Sequence, residues 1–191
     1  MNFRRLAPAA LAAAIGFFSA QGLAQPYLGF SVGQSDTDED VAAGLIDSGT
    51  VDGKDTGFKL YGGYRVNRHF ALEAGYVDLG EVGYRGTFTG LPVTNGQIET
   101  SGLNLSAVGI VPIGQSFSLF GKVGLFLWES EATDLTGGAP FRSTADDTDV
   151  SFGLGASFDF GRNFSLRGEW ERFEVAGSDS DLLSVGFAYR F

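Results

Sequence analysis

The sequence predicts an all-β chain, an eight-stranded antiparallel up-and-down β-barrel with its apolar side turned outward. Three observations carry this reading. Long stretches alternate strictly between apolar and polar residues, the connections between them are short and long by turns, and one hairpin-sized unit recurs at constant spacing.

Residues 1–24 precede the first strand and have the three parts of an export signal. Arg4 and Arg5 supply a basic start, residues 6–18 a short apolar run, and Gly22-Leu23-Ala24 small residues before a cut. The mature chain is expected to begin at Gln25, so that 1–24 is signal peptide and 25–191 is barrel. The first strand is read at 26–34 and the second at 56–66. The stretch 58–76, FKLYGGYRVNRHFALEAGY, carries the second strand through the turn Asn67-Arg68-His69 into a third at 70–86. Nearly every second residue in it is apolar, while Lys59, Arg65 and Glu73 fall on the opposite set. Further strands are expected at 97–111, 117–131, 150–160, 164–175 and 183–191. Two of these are unambiguous. Val150, Phe152, Leu154, Ala156, Phe158 and Phe160 oppose Ser151, Gly153, Gly155, Ser157 and Asp159, and Leu183, Val185, Phe187, Tyr189 and Phe191 oppose Ser184, Gly186, Ala188 and Arg190.

Short connections lie at 67–69, 112–116 and 161–163, and longer polar ones at 35–55, 87–96, 132–148 and 176–180. Each short turn is followed by Phe, a small residue and Leu: Phe70-Ala71-Leu72, Phe117-Ser118-Leu119 and Phe164-Ser165-Leu166, successive triplets being 47 residues apart. One hairpin is therefore the repeating unit, and each opens its upward strand with an aromatic on the apolar face.

Composition narrows the solvent. Of 13 basic residues, removal of Arg4 and Arg5 leaves 11 against 23 acidic, a net charge of −12. Nucleic acid, whose phosphates require a basic surface, is excluded as a partner. There is no cysteine, hence no disulfide and no lipid-modified thiol. No apolar run beyond the signal approaches the length of a membrane-spanning helix. A chain of this kind can cross a membrane only as a closed barrel, because lipid offers no partner to an open sheet edge.

The polar set decides which face meets which medium. It comprises Lys59, Arg65, Glu73, Lys122, Asp159, Arg167, Glu169 and Arg190 among many Gly and Ser. In a soluble carrier barrel these charges would stand singly on a surface of exposed glycines. Small residues instead suit the inside of a narrow barrel, where eight strands leave room for little more than side chains. The apolar set is large, runs the length of the strands and ends in aromatics near the turns, as a lipid-facing band does. The barrel is predicted to be transmembrane.

The segments GGYRVNRHFALEAGYVDLG (62–80), LNLSAVGIVPI (103–113), FSLFGKVGLFLW (117–128), FSLRGEWERF (164–173) and the final GFAYRF resemble, in order, the turns and strands of the OmpA/OmpX type of small outer-membrane barrel. The resemblance implies a Gram-negative outer membrane, with long loops extracellular and short turns periplasmic. It also implies contact with membrane lipid and lipopolysaccharide, and a terminal signal for the outer-membrane assembly machinery at Phe187, Tyr189 and Phe191. In that family lumen charges form ion pairs that plug or gate the barrel, and the matching positions are Glu73, Lys122, Arg167 and Glu169; Lys59 joins them by its place on the polar set. Two positions depart from the family: Val108 stands where it has a lysine, and Ala156 or Ser157 where it has a carboxylate. The chain resembles the barrel alone, as in the OmpX branch, without the linker and peptidoglycan-binding domain of OmpA.

The expected function is an integral barrel with a structural and surface-interaction role in the envelope, the alternative being a low-conductance channel with a charged lumen. The acidic segments DTDED (36–40) and TADDTD (144–149) are candidates for contact with an extracellular ligand. Neither has the ligand pattern of a calcium loop, since Val41 stands where a glycine is needed, and both read as solvated acidic loops. His69, the single histidine, lies on a short turn with Ala71 rather than Ser two residues on, so no catalytic arrangement is expected. No cofactor or metal is called for.

Overall fold

The computed structural model describes residues 25–37, 48–52, 54–87, 94–134, 141–175 and 177–191. The strands are β1 (Gln25–Thr37), β2 (Ser48–Asp52), β3 (Lys54–Arg65), β4 (Phe70–Thr87), β5 (Thr94–Ile113), β6 (Phe117–Asp134), β7 (Phe141–Phe160), β8 (Phe164–Val175) and β9 (Ser178–Arg190). All pairings are antiparallel, and apart from β1 with β3, β2 with β4 and the closing pair β1 with β9 they join consecutive strands. The cylinder closes where β1 meets β9, from Tyr27 opposite Arg190 to Thr37 opposite Ser180. Strand β2 pairs with the far end of β4, Ser48 opposite Thr87, and so continues the line of β3. The result is eight staves, as expected.

Alternation sorts the two faces as predicted. On β7, Leu154 is 63% exposed on the outer wall, while Ser151, at 3%, points into the lumen. Along β6 the outward residues Phe117, Leu119, Val123, Leu125 and Leu127 form the apolar band. Ten steps at ~3.3 Å, tilted by ~40°, span ~25 Å, the height of a lipid-facing band. Below it, Phe160, Phe164, Tyr189 and Phe191 pack edge to face or stacked with centroids 5.1–5.9 Å apart, a girdle beside the short turns. Gly114 and Gly161 give two of these turns the positive φ they need, +75° and +71°. Asn67 organises the third by accepting the His69 and Phe70 N–H groups on its side chain.

The strands also outrun the band, which the sequence does not predict. The segment 132–148 reads as a polar loop, yet Phe141–Asp149 pairs rung by rung with 126–134. TADDTD (144–149) therefore lies on β7, not on a loop. The physical reason is that above the membrane both faces meet water, so alternation loses its apolar signal. Cross-strand contacts such as Arg142 with Glu131 (3.1 Å) hold the rungs instead. A polar collar thus stands above the band. Asp36 lies on it, paired with Lys54 at 3.2 Å; Asp38, Glu39 and Asp40 fall outside the described residues.

Facing can be tested directly. A cysteine at Leu154 is expected to react with a lipid-soluble maleimide in reconstituted vesicles, and one at Ser151, nearly isosteric with serine, is expected to be protected. Equal labelling of the two would reverse the assignment of faces.

Candidate functional site: a filled lumen

The inner residues of each stave come from alternate positions, so charges far apart in sequence meet across the bore. The structure brings all five expected lumen charges together: Lys59 from β3, Glu73 from β4, Lys122 from β6, and Arg167 and Glu169 from β8. A sixth, Glu171, stands outside the expected set although it lies on the same alternation as Arg167 and Glu169. It is 1% exposed. Its neighbour Arg172 faces outward to Asp179 and Asp181, and the run of charges at 169–172 hides which of them turn inward.

The six make a balanced set of three cations and three anions. Arg167 Nη1 donates to Glu73 Oε1 at 2.6 Å and Nη2 to Glu169 Oε2 at 3.2 Å. Lys122 Nζ lies 2.5 Å from Glu171 Oε1, 3.1 Å from Glu169 Oε2 and 3.5 Å from Glu73 Oε2. Lys59 Nζ is paired with both Glu169 and Glu171. Burial of one charge costs several kcal/mol, which only a fully partnered arrangement offsets. The protein meets this by giving every charge at least two opposite neighbours.

Aromatics complete the packing. The Arg167 guanidinium lies between Phe120 and Tyr61, 4.3 and 4.8 Å from their ring centroids, and the Tyr27 hydroxyl donates to Glu73 Oε1 at 2.7 Å. Tyr27 sits directly opposite Gly63, and Tyr61 opposite Gly29. A Cβ on either glycine would fall on the facing ring. Val108 is buried in the wall at the position where the resemblance implies a lysine. Of the pair Ala156 and Ser157, it is Ser157 that lines the lumen.

Two further layers bracket the charges. Above them, Val77, Leu79, Phe126, Trp128, Phe173 and Leu182 form a buried apolar layer, with the Phe126 and Phe173 centroids 4.7 Å apart. Trp128 satisfies its indole N–H on Asp149 Oδ2 at 2.8 Å. This layer is not among the sequence expectations, though the unbroken run Leu125-Phe126-Leu127-Trp128 marks a strand apolar on both faces. Below the charges, at the short-turn end, Arg190 Nη2 reaches Asp159 Oδ2 at 2.9 Å and the Ser165 hydroxyl donates to Asp159 Oδ1 at 2.7 Å. A cavity of about 60 Å³ separates this layer from Arg167.

Outside, on the collar, a depression of about 330 Å³ is bordered by the carboxylates of Asp78, Glu81, Glu99, Glu129 and Glu131. A register shift in β4 between Asp78 and Glu81 shapes it, with Gly80 at φ +80°. Among the described residues no group of His, Cys, Asp and Glu side chains is arranged to hold a metal ion. His69 stays on its turn, with Nε2 accepting from Arg68 Nε at 2.8 Å and Nδ1 3.2 Å from the Ile110 carbonyl.

Comparison with known proteins agrees with this architecture. The outer membrane protein beta-barrel domain matches residues 8–191. Outer membrane protein A of Yersinia pseudotuberculosis is 28% identical over 197 residues, covering 95% of this chain and 54% of its own length, so the chain spans about half of that relative. Among solved structures, Ail of Yersinia pestis, in complex with the heparin analogue sucrose octasulfate, superposes with a TM-score of 0.61 at 17% identity, over 89% of this chain and all of Ail. Neisserial surface protein A gives 0.61 at 17% identity, over 90% of this chain and all of that one. With a closed eight-stave cylinder, an outward apolar band and a polar, filled interior, the chain belongs to the outer membrane protein β-barrel family and resides in the bacterial outer membrane.

Proposed function

We propose that the protein is a sealed envelope barrel whose working surface is its acidic extracellular collar, rather than a pore. The observation that carries this reading is the filling of the lumen by two successive layers, the six-charge set and the apolar layer above it. A conducting path would have to break ion pairs and also part Phe126 from Phe173. The lumen charges Lys59, Glu73, Lys122, Arg167, Glu169 and Glu171 are then structural: they hold staves together across the bore. No catalytic role is assigned. Residues 1–24 serve as the export signal, and Phe187, Tyr189 and Phe191, which face outward on β9 and at the chain end, serve as the assembly signal. Lipid and lipopolysaccharide surround the band.

The collar carries Asp78, Glu81, Glu99, Glu129 and Glu131 around one depression, with Asp146 and Asp147 exposed on β7. Such a surface attracts cationic partners and repels sulfated polyanions at the range of the Debye length, ~8 Å in physiological salt. It therefore favours a basic extracellular partner, the opposite charge choice from the polyanion in the Ail complex. The test is capture of reconstituted protein on polylysine and on heparin surfaces at ~0.15 M salt. Retention on polylysine, reduced by Glu129→Gln with Glu131→Gln, is expected. Retention on heparin alone would refute the acidic-collar reading, and reproducible conductance steps in a planar bilayer would refute the sealed lumen.

A further inference from the structure

The short-turn end of the lumen contains an excess of positive charge that the six-charge set does not absorb. That set is neutral, and below it Arg65 and Arg190 face a single carboxylate, Asp159. Asp159 is already engaged by Arg190 at 2.9 Å and by the Ser165 hydroxyl at 2.7 Å. Arg65 has no side-chain hydrogen bond or ion pair among the described residues.

The unsatisfied donors point the same way. Buried side-chain atoms without a hydrogen-bond partner include the Nε atoms of Arg65, Arg167 and Arg190. All three residues line the same cavity of about 60 Å³, and Arg167 is itself 7% exposed. Three arginines, each with an unpartnered Nε–H, thus line one small space. The remaining charged lining, Glu73 and Asp159, leaves the cavity at net +1. The volume is several times the ~10–15 Å³ that one water needs. Water alone would satisfy the donors and leave the charge uncompensated. Guanidinium groups, planar and rich in donors, match oxyanions in particular.

We propose that this cavity, at the periplasmic mouth of the barrel, binds a small phosphate-type oxyanion held by Arg65, Arg167 and Arg190. The site lies at the opposite end from the acidic collar and does not depend on what the collar recognises. Two sources of the oxyanion share this chemistry, free phosphate from the periplasm and the headgroup phosphate of an inner-leaflet lipid reaching into the mouth.

The experiment follows the Nε–Hε nuclear magnetic resonance peaks of the refolded mature barrel in maltoside micelles, at constant ionic strength. One arm adds inorganic phosphate; the other adds phosphatidylglycerol with no free phosphate. Saturable shifts of the three arginine peaks in either arm support the site and identify the source by the arm in which they occur. Arg65→Gln, which orphans no carboxylate, is expected to weaken that binding at least tenfold, whereas Arg142→Gln, on the collar, leaves it unchanged. Retained heat-modifiable migration in electrophoresis confirms that each variant folds. Shifts that stay linear in both arms, or that persist undiminished in Arg65→Gln, would show a water-filled mouth and overturn the proposal.

Discussion

Glu171→Ala is expected to lower the unfolding free energy of the barrel by about 3–5 kcal/mol, the range for removing one partner of a buried ion pair. Glu171 is 1% exposed and compensates two lysines at once, with Lys122 Nζ 2.5 Å away and Lys59 Nζ paired to its other oxygen. Its loss leaves three buried cations facing two buried anions. Urea unfolding from lipid vesicles, followed by fluorescence of the two tryptophans, reads the effect. A companion variant separates charge imbalance from loss of packing. Lys122→Met with Glu171→Leu leaves two balanced pairs, Lys59 with Glu169 and Arg167 with Glu73, in an apolar surround. It is expected to lose less stability than Glu171→Ala alone, because replacing both partners removes the desolvation cost along with the attraction. A loss below about 1 kcal/mol for the single variant would mean that water reaches the lysines and that the set is not sealed.

The second large effect belongs to the apolar layer. Phe126→Ala removes a side chain with no exposed surface, packed at 4.7 Å against Phe173, and is expected to cost about 3–5 kcal/mol, as large-to-small core substitutions do. The same variant distinguishes two seals from one. Bilayer conductance is expected to stay at baseline, because the charged layer still closes the bore beneath the new cavity. Channel activity in Phe126→Ala would show that the aromatic layer is the sole barrier and that the charges part readily.

Much of this architecture is legible in the sequence, and the reasons are local. Period-two alternation marks a strand and both its faces wherever one side meets lipid and the other does not, as at 150–160 and 183–191. That same contrast places Lys59, Glu73, Lys122, Arg167 and Glu169 in the lumen. It fails in two circumstances. Where both faces meet water, as along Phe141–Asp149, alternation has nothing to report and the strand reads as loop. Where both faces are apolar, as at Phe126 and Trp128, the inner layer is indistinguishable from the outer one. Contacts across the bore lie beyond sequence altogether. Lys59 and Glu171 are 112 residues apart, and which charges meet depends on how far each stave is offset from the next.

That offset gives the tyrosine–glycine pairs a further meaning. A tight turn dictates the register of its hairpin, but β1 and β3 are joined by a long connection that leaves theirs open. Tyr27 opposite Gly63 and Tyr61 opposite Gly29 supply what the connection cannot. A slip of two residues in one direction would set Tyr27 against Tyr61 on a crowded inner wall, and a slip of one would leave one ring inside and turn the other into lipid. In a closed cylinder the offsets between staves add up around the ring to its shear, and shear together with stave number sets the diameter. Two tyrosines and two glycines on one pair of staves therefore help to determine the width of the entire bore.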